Sequence, residues 1–464
     1  MNRIYFLLLI FIFSQCTSKY NDAIEQVLDD VSSKQADELE AVLDHYTAPA
    51  DSLKRKAAHF LVENFPDEKY QTIDKQLLIE NIELAFQVWK KPWAKQLNFD
   101  EFKELVLPFD LERDSTGTFW RKRFMNEYAF VEDSLKNYPD EHSVFAACKI
   151  LDKAMSKKYR IVFRAGEPGA IGLNEWERDK YGDCAGMAFL SNQIMHAVGV
   201  PCAVELTPQW ANTSYSHYWN VTLVNNHYYP FIFTENTPLK TYKVELDFFS
   251  GFIRKRSKVF RKTYAVNHNS LAIITQLPVP SIFTSSHLLD VSQSTIPTTQ
   301  VQLSVPDSVS QDYLYLSVFS MTILKPAIWG KVDNQSITFD AIRPEAVYIL
   351  TLFQDNKQMP IGYPFLLKKN GQKHFLKPLL TTKRQITCLK KYPLDPSNMI
   401  KIGDSYELFF WDNNKWNTLG QKVATAQQIT FSGVPQNALL LLKDVSRGKQ
   451  ERVFTYENSQ QIFW

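Results

Sequence analysis

Apolar side chains recur at helical spacing through the first third of the chain. Ile24, Val27, Leu28 and Val31 make one stripe, and Leu39, Val42, Leu43 and Tyr46 continue it. Asp51 or Ser52 caps a second helix that turns Leu53, Ala57, Phe60 and Leu61 inward. A third runs from about Asp74 to Trp89 with Leu77, Ile79, Ile82 and Phe86 available for packing, and Ser143 to Ser156 suits a fourth. The charges between these positions are solvated faces, and residues 17 to 130 receive no chemistry.

Between Tyr181 and Asn236 the pattern changes twice. Asp183 is a good N-cap, and Met187, Leu190, Ile194 and Val198 then recur at helical spacing up to Gly199, a natural stop. Val200 to Leu206 reads as a strand. A hairpin follows, in which His217, Trp219, Val221 and Leu223 alternate with Tyr218, Asn220, Thr222 and Val224. Asn225-Asn226 supplies a two-residue left-handed turn, and Tyr228 to Phe233 forms the return strand. That register sets His217 opposite Thr234 and Trp219 opposite Ile232. Alternation then puts Ile232, Thr234 and Asn236 on the histidine's face and turns Glu235 away.

Period two dominates the last third. Leu277 to Gln300 is rich in Pro, Ser and Thr and marks a boundary. Val301 to Val305, Tyr313 to Phe319, Ile337 to Phe339, Val347 to Phe353 and Phe365 to Phe375 are strand candidates, with a hairpin turn at Asn370-Gly371. They suggest a sandwich of roughly seven strands. A smaller β unit fits about 390 to 464, where Trp411 and Trp416 flank the turn Asp412-Asn413-Asn414. The two indoles suit either a stacking platform for sugars or peptides or, more simply, a cross-strand pair.

Composition narrows the function. The 464 residues allow two to four domains with real cores, and 45% hydrophobic with 22% charged is globular. A net charge of +2, with no basic cluster interleaved with aromatics, argues against a nucleic-acid partner. The one basic stretch, Phe249 to Val266, is expected to be a solvated face. Met1-Asn2-Arg3 followed by the ten-residue apolar run Ile4 to Phe13 suits a signal peptide and is too short for a mature span. Ser14-Gln15-Cys16 then looks like a bacterial lipoprotein cleavage site, with Cys16 as the lipidated residue. The remaining cysteines form no zinc pattern and no disulfide framework, so no metal and no organic cofactor is expected.

The chemistry centres on Cys184. In the first turn of a capped helix, unsatisfied amides bias a thiol toward thiolate. An imidazole at His217 on the following hairpin would supply its base. Here the chain resembles the transglutaminase-like superfamily, papain-type cysteine enzymes. The segments that carry the likeness are GDCAGMAFL, GVPCAVEL and HYWNVTL, in that order, and TPQWANTSYSHYWNV looks like the large lipoproteins of this superfamily in Bacteroidetes-type bacteria. The resemblance implies a third residue that orients the imidazole. The usual acid position holds Ile232, which leaves Asn236, or Glu235 through a bulge, for that role. It also implies an oxyanion donor, for which Trp176 is the candidate.

The expected architecture is therefore α+β and multidomain. It comprises a signal segment (1–16), a helical region (17–130), a transglutaminase-like core (131–276), a linker (277–300), a β-sandwich (301–390) and a small β domain (391–464). The expected function is an exported, lipid-anchored cysteine enzyme of the bacterial cell envelope. It would cleave or transfer amide bonds of a peptide, protein or glycoconjugate through a Cys184 thioacyl intermediate. The alternative is a catalytically degenerate envelope lipoprotein that binds peptides or glycans or acts as a scaffold.

Overall fold

The computed structural model describes residues 19–65, 73–109, 120–138, 143–162, 172–234, 242–246, 251–393, 398–448 and 451–464. Cys16, Glu235 and Asn236 lie outside the described residues.

The amphipathic stripes become α1 (Asp22–Asp30), α2 (Ser33–Leu43), α3 (Ser52–Glu63) and α4 (Lys75–Trp89), followed by α5 (Phe99–Leu105), α6 (Trp120–Glu127), α7 (Phe130–Leu135) and α8 (Val144–Lys158). Side-chain caps start several of them. Asn21 accepts from the Ile24 amide, Asp74 from Gln76, and Asn98 forms a reciprocal box with Glu101. Two short parallel strands, β1 (Arg160–Ile161) and β2 (Tyr181–Gly182), bracket α9 (Leu173–Asp179). Then comes α10 (Cys184–Val198), buried along almost its whole length. It ends at Gly199, whose φ of +79° suits a residue without a side chain. A Cβ there would also meet the Val88 carbonyl oxygen of α4 at 2.8 Å, so this glycine lets the two helices approach.

One face of α10 rests on an antiparallel sheet of order β5-β4-β3-β6-β7. Its strands are β3 (Cys202–Thr207), β4 (His217–Val224), β5 (His227–Phe231), β6 (Phe260–Lys262) and β7 (Leu288–Asp290). The β4–β5 hairpin has the anticipated register, Val224 pairing His227 and Asn220 pairing Phe231, around Asn225 and Asn226 with positive φ. Residues expected to be linker supply β7, which closes the sheet edge. The basic stretch also departs from expectation. Lys258 is fully buried and pairs with Asp290, Arg256 pairs with Glu245, and Arg261 pairs with the buried Glu205. Acidic partners from distant segments, which no local pattern reveals, make this burial affordable.

The C-terminal half is all antiparallel β. A seven-stranded sheet has the order β14-β13-β12-β9-β10-β11-β8, built from β8 (Thr299–Ser304), β9 (Tyr313–Ser320), β10 (Ile323–Asp333), β11 (Ser336–Ile342), β12 (Ala346–Gln354), β13 (Lys357–Leu367) and β14 (Lys373–Phe375). Strand β10 pairs with β9 along most of its length and with β11 at its end, so one continuous sheet encloses a shared core that includes Val301, Leu316, Phe339 and Tyr348. A second unit follows, with β15 (Leu379–Cys388), β16 (Ser405–Asp412), β17 (Lys415–Val423), β18 (Ile429–Gln436), β19 (Leu440–Asp444), β20 (Val453–Glu457) and β21 (Gln460–Phe463). Because β15 pairs with β18, residues 379–388 belong with this unit. Trp411 and Trp416 meet edge to face at 5.1 Å and pack on Phe319 of the larger sheet. Trp411 is only 4% exposed, so the pair is a seam between β units, with no open platform.

Candidate cysteine–histidine site

Asp183 caps α10 as expected, its carboxylate accepting the Gly186 amide at 2.8 Å, which places Cys184 in the first turn. Of the four described cysteines only Cys184 is partly exposed. Its thiol is nevertheless not biased toward thiolate. Burial pushes its pKa up and the Asp183 charge adds to this, against the backbone amides of Tyr218 and Ala185 that favour the anion. Tyr218, whose amide favours the anion, is the residue that follows His217 at the start of β4.

The imidazole points elsewhere. Tyr218 packs against Phe189 of α10, and Asn220 donates from Nδ2 to the Ala188 carbonyl of the same helix at 2.8 Å. Alternation along β4 therefore turns His217 and Trp219 to the other face of the sheet. There the His217 ring lies between Trp210 and Trp219, with centroids 5.4 and 5.8 Å away and planes within 28°. Burial first, then the charges of Arg254 and Arg256, lower its pKa to about 3. No hydrogen bond joins Cys184 to His217 among the described residues.

Of the residues expected on the histidine's face of the return strand, Ile232 and Thr234 are among those described. Strand β5 ends at Phe231, Ile232 is buried, and Thr234 takes a positive φ of 75° while its amide donates to Asp152 at 2.8 Å. The chain thus leaves the ladder before the register brings it opposite His217. Trp176 is walled in beneath Gly182, where an added Cβ would lie 2.4 Å from its ring, and it packs edge-on against Tyr159. Its indole N–H is buried without an acceptor among the described residues.

The histidine's face carries a network that no motif announced. Trp219 Nε1 donates to Glu205 at 3.1 Å, and Arg261 reaches the same carboxylate at 2.7 Å while its guanidinium lies over Tyr228. Arg256 and Arg343 both bond Glu245. A cavity of about 430 Å³ opens there, lined in part by Glu205, Tyr228, Glu245 and Arg256. Among the described residues no group of three His, Cys, Asp or Glu side chains is placed to hold a metal ion, and no helix is long and apolar enough to cross a membrane.

No family model matches the chain, and no curated protein matches it. Among solved structures it is similar to a candidate cysteine protease from Cytophaga hutchinsonii, with 13% identity, a TM-score of 0.17, and 48% of this chain and 51% of that one covered. It is also similar to red sea bream transglutaminase, with 10% identity, a TM-score of 0.23, and 71% and 70% of the two chains covered. The chain thus spans about half the length of the first of these proteins. Superpositions this far below a TM-score of 0.5 define no common fold for the whole chain.

Proposed function

We propose that this chain is a transglutaminase-like module in which the cysteine–histidine pair is not assembled for catalysis, and that it acts as a binding or scaffold protein. One observation carries the proposal. Tyr218 and Asn220 of β4 turn toward the Cys184 helix, whereas His217 alternates to the opposite face of the sheet, between two indoles. A base that titrates near 3 and a thiol raised above its ordinary range do not share a proton at neutral pH. The sequence adds a proposed anchor: lipidation at Cys16 would hold the protein at a bacterial envelope, where peptides or glycoconjugates are the available partners.

A second reading, a thiol amidase or peptidase, is favoured by the partial exposure of Cys184 and the amides around its sulfur. Comparing wild type with Cys184→Ala on amide and peptide libraries separates the two. The module reading expects the two proteins to be indistinguishable. Amine release by wild type that disappears in Cys184→Ala would establish the enzyme instead.

A further inference from the structure

The sheet face that carries His217 is also the face of a cavity that the cysteine–histidine pair does not use. Along the β4–β5 hairpin Val221 pairs with Pro230 and Leu223 with Tyr228, so Val221, Tyr228 and Pro230 stand on the same side as His217 and Trp219. These three line the cavity of about 430 Å³, and Leu246 and Ile253 add to its apolar wall. That volume is in the range that takes a small ligand. The Tyr228 ring is braced by the Arg261 guanidinium, which lies 3.4 Å from its centroid.

The charged groups of the lining are Glu205, Lys243, Glu245 and Arg256. Both carboxylates are already engaged. Glu205 accepts from Trp219 Nε1 and from the Arg261 guanidinium, and Glu245 accepts from Arg256 Nε and from both terminal nitrogens of Arg343. The open capacity is on the donor side. Arg256 gives Nε to Glu245 and Nη2 to the Thr295 carbonyl, which leaves Nη1 without a partner among the described residues and not shut off from solvent. Lys243 is exposed, and its ammonium has no partner among the described residues. With the ion-pair partners included, four cations (Lys243, Arg256, Arg261 and Arg343) face two carboxylates.

We propose that this cavity binds the free C-terminal carboxylate of a peptide whose last side chain is apolar. The inference rests on the binding reading above and names a ligand for it. Arg256 Nη1 and the Lys243 ammonium only donate, and a carboxylate only accepts, so one group satisfies both with charge-assisted hydrogen bonds. The excess of cations around the cavity draws the same sign of ligand. An ammonium group would meet two carboxylates that are already bonded and two cations that are not. A carboxamide keeps one acceptor but loses the charge. The last side chain of the peptide would cover Val221, Pro230, Leu246 and Ile253, which an inorganic anion would leave wet.

Calorimetric titration of the full chain at low salt with N-acetylphenylalanine, its carboxamide and phenethylamine tests the proposal. N-acetylphenylalanine should bind saturably, and more weakly as salt is added, while the carboxamide and the amine should not bind. Lys243→Met should weaken the binding about tenfold and Lys243→Arg should keep it. Lys243 is exposed, so neither change threatens the fold. No saturable binding by wild type, equal binding of the carboxamide, binding of the amine in its place, or undiminished binding by Lys243→Met would overturn the site. None of these outcomes alters the comparison of wild type with Cys184→Ala, so the site and the binding reading fail separately.

Discussion

The two ends of the Cys184 helix differ in an instructive way. The N-terminal end has the residues a reader of sequences looks for: an aspartate cap, a cysteine in the first turn and a histidine on the next hairpin. Its side chains nonetheless diverge across a sheet. The far end has no motif, but there the packing gathers His196, Arg121 and the Pro108 carbonyl into a buried polar cluster, with Asn192 one helical turn away. Residue type announces chemistry at one end. At the other, three-dimensional placement creates a polar cluster that residue type does not reveal.

Breaking the far end should have the largest effect. Arg121 is a buried cation with no carboxylate partner among the described residues, held by Asn81 Oδ1 and the carbonyls of Val106, Leu107, Pro108 and His196 at 2.7–3.2 Å. Arg121→Met strands those acceptors, and chemical denaturation should show a loss of about 3–5 kcal/mol. A loss under 1 kcal/mol would mean that the cluster is not holding α10 to α6.

Acid should attack the same end next. The folded His196 pKa lies below its ordinary value of 6.5, so as pH falls the unfolded chain takes up the proton first. Its contribution is therefore complete above pH 6.5 and is lost as pH falls toward 3. By pH 5 the loss amounts to about 2 kcal/mol. His217 shifts in the same direction but, being more open to solvent, should contribute less. Unfolding free energies of wild type and His196→Gln across this range should converge as pH falls. Parallel curves would contradict a neutral buried His196.

The smallest of these effects belongs to the N-terminal end. Asp183→Ala removes one capping hydrogen bond and should cost about 1 kcal/mol. Because Asp183 also raises the Cys184 pKa, the same change should make the thiol slightly easier to ionise. An unchanged thiol titration would remove Asp183 from the account of Cys184.

Much of the fold was legible for physical reasons. The stripes of α1 to α4, the cap and stop of α10, and the Asn225-Asn226 hairpin are set by contacts within a few residues, and pattern reports such contacts directly. The basic stretch misled because Glu205, Glu245 and Asp290 reach it from separate segments. The pairing of β15 with β18 was hidden for the same reason, since the two strands are separated in the chain by β16 and β17. At the site, period two correctly placed His217 and Trp219 together. It could not say which face α10 would cover, and that choice rests on Asn220 bonding the Ala188 carbonyl. Asn192 and His196 gave one faint signal, since with Ser191 and Gln193 they are the polar residues of a helix that is otherwise largely apolar.

Alkylation of Cys184 by iodoacetamide, followed as a function of pH with Cys148 and Cys388 as buried controls, tests the central claim most directly. Only thiolate reacts, so the pH of half-maximal rate reports ionisation. The account predicts that Cys184 reacts before the controls because it is partly exposed. It also predicts a midpoint above the ordinary thiol value of about 8.5 and no shift in His217→Ala. A midpoint below neutrality that moves upward when His217 is removed would show an assembled thiolate–imidazolium pair and contradict the account.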